Sequence, residues 1–430
     1  MGNRMFRSRH ARWLRFHAKM QAKAQVLLFG AMLGGVAAWT GDLSLHRPWL
    51  YGGALAVVAL LLRKKRPGLR PPPPPASPPA TMLAFRQMRY GTDVAKSTEL
   101  RDDVPVPSVG PDEVLVRVHF AAADPVDYKA GQGRIQLVLR HTLPYTYGQN
   151  FAGVVVKTGA AVPPSQFAVG DRVCGLPTWG QVQPRGTFAE YVSCPAYLMT
   201  KVPTAVTLEQ AAGTPLVGCT AFQGLHAGGL RATDRLLVLG GSTSVGLAVI
   251  QAAKLLGCRD IAVTSTQEAL CTRLGATRVI NYRNEDWATA FAGDKVDFVF
   301  DCMGEVDSFA KATKHVLKGN GAGRFVTITR PNAEKPMGVT DLLSFVALLV
   351  GRAALHAFTG APSFQMYLLD GTQGLDWLLA RHAAGEYETV VDPVSRQLPP
   401  TLDGFCRMVA VQAGGKAHGK LVMNLESWHK

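Results

Sequence analysis

From residue 113 to 120 and again from 151 to 157, short runs rich in Val, Leu and Phe are bounded by clusters of Gly, Pro and Asp, the pattern of strands in an all-β unit. From about residue 203 to 329 the pattern changes. Apolar strand-length runs alternate with helical periodicity, which predicts a parallel sheet covered by helices. The clearest unit spans residues 235–256. An apolar strand ends at Gly240 and Gly241, turns through Ser242, Thr243, Ser244, Val245 and Gly246, and enters a helix of small and aliphatic residues. A second apolar strand follows at 260–265, at the distance of a βαβ unit. A later apolar run, 342–350, is too short to span a membrane and is expected to be a core or subunit-contact helix.

Two apolar segments, 24–40 and 48–62, precede all of this. Each is slightly shorter than the roughly 20 residues that a bilayer core requires. Trp39, Trp49 and Tyr51 lie at the ends that face a short loop, where an aromatic belt belongs, and residues 63–66 are all Arg or Lys. The first forty residues carry seven Arg or Lys, and the first acid is Asp42. The positive-inside rule puts both ends of this hairpin on one side, with the enzyme facing the cytosol. Gly30 and Gly34 permit close packing of the two helices. The competing reading is a cleaved mitochondrial presequence, because an Arg-rich, acid-free start describes that too. Residues 67–80, with five consecutive prolines from Pro71 to Pro75, read as a polyproline II spacer.

The net charge of +15 over 430 residues is therefore concentrated at one end, beside apolar runs, and no folded nucleic-acid recognition module accompanies it. Nucleic acid is not an expected partner. Seven cysteines are scattered without a Cys-x-x-Cys pair, so neither a disulfide framework nor a zinc knuckle is encoded.

The turn at 240–246 points to chemistry. Backbone N–H groups at a small-residue turn, with a helix N-terminus behind them, favour a pyrophosphate. Thr243 and Ser244 stand where such turns usually have glycine. After the second strand come Thr264, Ser265 and Thr266, where an NAD-selecting fold carries an acid for the ribose hydroxyls, so NADPH is expected over NADH. Arg273, Arg278 and Tyr282 are the nearest candidates for a 2′-phosphate, and Cys302, just past a strand at 297–301, is expected near the cofactor without reacting. The plain alternative is an ordinary βαβ unit that binds nothing.

The order of β unit, nucleotide fold and short return resembles the medium-chain dehydrogenase/reductase superfamily, in its zinc-free quinone oxidoreductase and enoyl reductase branch. The stretches that carry the likeness are 121–129, 148–153, 169–173, 186–192, 211–221, 274–282, 300–304, 323–326 and 415–420. The resemblance implies an α/β fold in which a GroES-like β-rich catalytic domain joins a Rossmann doubly wound parallel sheet, preceded here by the transmembrane hairpin. The expected boundaries are a basic arm at 1–23, the hairpin at 24–66, the linker at 67–81, the catalytic domain at 82–202, the nucleotide domain at 203–384 and a return at 385–430. It further implies that Asp124 and Tyr128 line the site beside Asn150, and that Thr220 contacts the cofactor near its nicotinamide. Tyr128 as a proton donor and Tyr128 as a buried, satisfied aromatic both remain open. The zinc alcohol dehydrogenases of the superfamily hold metal through a Cys and a Gly-His-Glu where this chain has Asp124 and Gln149–Asn150, so no metal is expected. Many relatives have Asn at the position of Asp124 and an acid at that of Asn150, and the exchange here predicts contact between the two side chains.

The function expected from the resemblance is NADPH-dependent hydride transfer to a quinone or an α,β-unsaturated carbonyl. A homodimer paired through the nucleotide domains is compatible with it. A non-catalytic NADP-binding scaffold of a membrane complex and an enoyl-thioester reductase are the alternatives.

Overall fold

The computed structural model describes residues 81–137, 141–177, 185–291 and 293–429. The basic arm, the apolar hairpin and the polyproline spacer expected at 1–80 lie outside the described residues. One compact unit comprises residues 78–343 and 356–430, and the segment 344–355 falls outside it.

The β-rich part opens with β1 (Thr81–Gln87), which pairs antiparallel with β2 (Thr98–Pro105) on one side and β4 (Tyr145–Thr146) on the other. A second sheet is built around β3 (Glu113–Ala123) and β5 (Asn150–Thr158), with β6 (Arg172–Gly175) and β8 (Met199–Lys201) continuing it. Strand β7 (Tyr191–Pro195) pairs with the first half of β3. The last strand of the chain, β15 (Leu421–Asn424), pairs with its second half. The alternation read at 113–120 thus becomes β3, and the run at 151–157 becomes β5. After β3 the chain turns into a short helix, α1 (Pro125–Gly131), with Pro125 at its first position, where the missing N–H costs nothing.

The second part begins with α2 (Leu208–Gly213) and α3 (Pro215–Ala227). Six parallel strands follow: β9 (Arg235–Leu239), β10 (Asp260–Thr264), β11 (Arg278–Ile280), β12 (Phe298–Asp301), β13 (Arg324–Thr327) and β14 (Ser363–Met366). Their spatial order is β11-β10-β9-β12-β13-β14, and every pair is parallel. This is the doubly wound 3-2-1-4-5-6 arrangement, whose ligands sit in the crevice outside the strands' C-terminal ends. Helix α4 (Ser244–Leu255) connects β9 to β10 and α5 (Glu268–Leu274) connects β10 to β11. The interior strand residues of β9 and β12 are buried without interruption, as strands covered on both faces require.

The apolar run at 342–350, expected to be a core or subunit-contact helix too short to span a membrane, is part of a longer helix than expected. Helix α6 (Val339–Thr359) has 21 residues, about 31 Å at 1.5 Å per residue, and none of them is buried. The uninterrupted apolar stretch hid its true ends. The Asp341 carboxylate accepts the Gly338 N–H at 2.8 Å at the start, and Gly360, at φ 66°, caps the finish. Between them, Ala353, Ala354 and Leu355 carry the helix past Arg352. Among the described residues it is the one helix long and apolar enough to cross a bilayer. Two further helices, α7 (Leu375–Ala383) and α8 (Leu402–Ala413), follow it.

Helix α8 closes the core of the β-rich part. Phe405 stacks on Phe85 of β1 with ring centroids 4.4 Å apart, and meets Tyr147 and Phe188 edge-on at 4.8 and 5.6 Å. All four rings are buried. Phe405→Ala is expected to cost about 3–5 kcal/mol of stability, read as a fall in the denaturant midpoint at unchanged slope.

Candidate active site

Asp124 ends β3's excursion and precedes α1, while Asn150 begins β5. Their side chains meet: Asn150 Nδ2 donates to Asp124 Oδ2. The contact expected from the exchange of amide and acid is therefore present. Asn150 also accepts the Leu216 backbone N–H at 2.9 Å through Oδ1, which ties the β-rich sheet to the first turn of α3. Thr220 lies one turn further along α3 and is buried.

A third member joins this pair. Lys420, in the segment leading into β15, donates from Nζ to Asp124 Oδ1, and neither residue is more than 2% exposed. The lysine stem lies over Gly213, where a Cβ would press on it at 2.9 Å. Sequence reasoning placed Lys420 in a family-like stretch but gave it no role, because its partner is 296 residues away. Asp127 completes the cluster. Its carboxylate accepts the Asp124 backbone N–H at 2.8 Å, and burial first, then the neighbouring charge of Asp124, pushes its pKa well up.

Tyr128 is buried beside Asp124 in α1. Its hydroxyl is pushed up to about 12, chiefly by burial and then by the charge of Glu334. It therefore keeps its proton throughout the neutral range, with Glu334 as its hydrogen-bond partner.

The turn after β9 is closely packed. Gly240 adopts φ 82°, a backbone conformation that favours glycine. A Cβ on Gly246 would run into the Gly240 carbonyl oxygen, and one on Gly241 would meet Val263 at 2.7 Å. Thr243 replaces the missing glycine with a hydroxyl that works twice: it donates to the Gly240 carbonyl at 2.8 Å and accepts the Gly246 N–H at 3.0 Å as the N-cap of α4. Ser244 Oγ donates to the Gly419 carbonyl at 2.8 Å, one residue before Lys420. Ser242, Ser244 and Val245 line the same turn, whose first helical N–H groups have no acceptor within the helix. The cradle of small residues at a helix start fits a dinucleotide pyrophosphate.

The other expected cofactor residues divide. Ser265 is buried and its hydroxyl accepts the Gln267 N–H at 2.9 Å, while Thr264 accepts the Gly240 N–H at 2.9 Å, so each hydroxyl braces the fold through an acceptor position and keeps its own proton. Arg273 is paired with Glu388, and Tyr282 is exposed past β11. Arg278 turns away, stacking on Phe291 at 5.0 Å. Cys302 follows β12, and burial followed by the charge of Asp301 pushes its thiol far up, which makes it a poor nucleophile. A group that sequence reasoning missed is the three-residue set of Lys129, Arg134 and Glu334. Lys129 Nζ lies 2.8 Å from Glu334, and Arg134 pairs with the same carboxylate. Among the described residues, no three His, Cys, Asp or Glu side chains are grouped to hold a metal ion.

Two substitutions test these arrangements. Gly246→Val is expected to abolish dinucleotide binding in a fluorescence titration, because the turn cannot admit a branched side chain. Lys420→Met leaves Asp124 buried without a counter-charge and is expected to cost about 3–5 kcal/mol in chemical unfolding. Adding Asp124→Asn should return part of that loss, whereas independent sites would give the sum of two losses.

The alcohol dehydrogenase GroES-like domain matches residues 110–204, and the family described as zinc-binding dehydrogenase matches residues 244–363. The chain is 35% identical over 353 residues to the 2-methylene-furan-3-one reductase of Solanum lycopersicum, spanning 80% of each protein. It is 29% identical over 342 residues to the mitochondrial NAD(P)H oxidoreductase RTN4IP1 of Bos taurus, spanning 73% of this chain and 82% of that one. Its fold superposes on the quinone oxidoreductase of Coxiella burnetii with a TM-score of 0.66 at 24% identity, covering 80% of this chain and 99% of that one. The two-module architecture, the glycine turn and these matches agree: the chain belongs to the medium-chain dehydrogenase/reductase superfamily, in the branch of the quinone oxidoreductases and enoyl reductases.

Proposed function

We propose that this protein is an NADPH-dependent reductase that acts, without a metal, on the conjugated double bond of a quinone or an α,β-unsaturated carbonyl. The observation that carries the reading is the buried cluster of Asp124, Asn150 and Lys420. Where zinc relatives gather ligands around an open metal position, these side chains satisfy one another, and an ammonium already sits against the carboxylate. A conjugated acceptor is electrophilic without Lewis-acid help. NADPH, when bound, supplies the hydride.

The chain's own residues then hold and protonate. Tyr128, whose phenol keeps its proton, would donate a hydrogen bond to the substrate oxygen and give a proton to the enolate, ending as a phenolate that takes a proton back from solvent. Asp127, whose protonated form burial favours, is a second proton reservoir one residue away. The cluster of Lys420, Asp124 and Asn150 fixes the start of α1 and so the direction of Tyr128. The preference for NADPH rests on the lack of an acid at the end of β10 and on the exposed Tyr282 and Arg273 nearby.

A membrane tether is part of the proposal. Apolar segments at 24–40 and 48–62 with basic flanks support it, and the unburied helix α6 supports it independently. The tether would leave the enzyme facing the cytosol, with a mitochondrial location as the alternative, an address that the relative in Bos taurus carries in its name. The outer edge of β14 ends the parallel sheet and is the edge through which two nucleotide modules would pair.

Purified full-length protein should oxidise NADPH in the presence of small enones or quinones, followed by absorbance, and should bind NADPH at least about tenfold more tightly than NADH, a difference of about 1.4 kcal/mol. Binding without turnover of any enone, quinone or enoyl thioester would leave only the cofactor half of the reading standing. Alkaline carbonate should leave the protein with the membranes, and its appearance in the supernatant would remove the tether.

A further inference from the structure

The loop that follows β13, residues 328–338, leaves the C-terminal edge of the parallel sheet and crosses to α1. It is held in shape by its own groups. Arg330 donates to the carbonyls of Pro331 at 3.2 Å and Asn332 at 3.0 Å, and also to that of Lys335. Asn332 turns the chain at φ 58°, and the Met337 N–H donates to the Arg134 carbonyl at 3.0 Å. Glu334, between these anchors, puts one carboxylate oxygen on Lys129 and the other on Arg134. The side chains of the two cations are 17% and 19% exposed, whereas that of Glu334 is 65% exposed. Both cations also lie against the Tyr128 ring, 5.8 and 5.9 Å from its centroid.

The asymmetry in exposure is informative. Two largely covered cations beside the candidate proton donor require an anion, and the one they have is mostly in water at the end of a loop. An ion pair with so exposed a partner is worth roughly 0–1 kcal/mol, so another oxyanion can exchange with it at little cost. A guanidinium beside an ammonium suits a carboxylate or a phosphate, with Arg134 offering its planar fork and Lys129 a point charge. We propose that Lys129 and Arg134 form a seat for an anionic group carried by the acceptor, and that Glu334 is the resident stand-in which that group displaces. The substrate class is then an enone or quinone bearing a carboxylate or phosphate. Neutral acceptors enter with Glu334 still in place. The inference rests on the reductase reading and specifies the acceptor within it.

The test compares acceptors that differ only in charge, with full-length protein and NADPH. One pair is 4-oxo-2-pentenoate and its amide, which probes a carboxylate. The other is crotonyl-coenzyme A and the crotonyl thioester of N-acetylcysteamine, which probes a carrier phosphate. In at least one pair the anionic member should have the higher kcat/KM, and Glu334→Gln should widen that ratio about two- to fivefold through KM, the size of one lost competing ion pair. Lys129→Met and Arg134→Met should each bring it toward one. Ratios that none of the three variants moves, in either pair, would overturn the proposal. Absence of turnover with all four acceptors would instead overturn the reductase reading. A spectroscopic measurement keeps the seat testable in that case. Ultraviolet difference titration, referenced to Tyr128→Phe, should show the Tyr128 pKa falling in Glu334→Gln and rising again when 4-oxo-2-pentenoate or inorganic phosphate is added. A titration that neither anion shifts in Glu334→Gln would exclude the seat.

Discussion

A buried ammonium on a buried carboxylate is the constraint around which the site is organised. Moving either charge out of water alone costs several kcal/mol, so Lys420 and Asp124 can be buried only together, with Asn150 taking the second carboxylate oxygen. The pair therefore determines more than local geometry. It fixes the end of β3 against the entry to β15, and through Asn150 it reaches the first turn of α3 in the nucleotide module. The candidate donor Tyr128 stands on the helix that begins at this point.

The dinucleotide turn shows a different economy. Thr243 occupies a position where a glycine is usual, and its single hydroxyl closes the turn and caps α4. Thr264 and Ser265, at the end of β10, each accept a backbone N–H, from the turn and from the chain that follows β10. The fold is stabilised by the same atoms that a motif reading assigns to the ligand. Beyond them, Arg273 is paired with Glu388 and Tyr282 is exposed.

The two-module architecture was legible because it rests on periodicity, which is local. Period-two runs became β3 and β5, and the strand–glycine–helix unit became β9 and α4. The contact between Asp124 and Asn150 was legible because two departures from the relatives compensated each other. Lys420 was not, since nothing within a few residues of it signals a carboxylate 296 positions earlier. The trio of Lys129, Arg134 and Glu334 escaped for the same reason, and Glu334 sits in a loop whose course only tertiary hydrogen bonds define. The length of helix α6 was underestimated because the apolar stretch at 342–350 hid the ends that Asp341 and Gly360 set. Composition records what a segment would rather contact, and its burial depends on what the rest of the chain brings to it.

The position of Lys420 also bears on how the protein is made. The ribosome releases the nucleotide module's strands, β9 to β14, before it releases β15, so that module has its whole sheet while the catalytic sheet still lacks an edge. Until residue 420 emerges, Asp124 has no counter-charge and cannot enter the interior. The β-rich module must wait for residue 420, and a chain that stops short of it would have an intact nucleotide fold and a β-rich half left without the cation on which it closes.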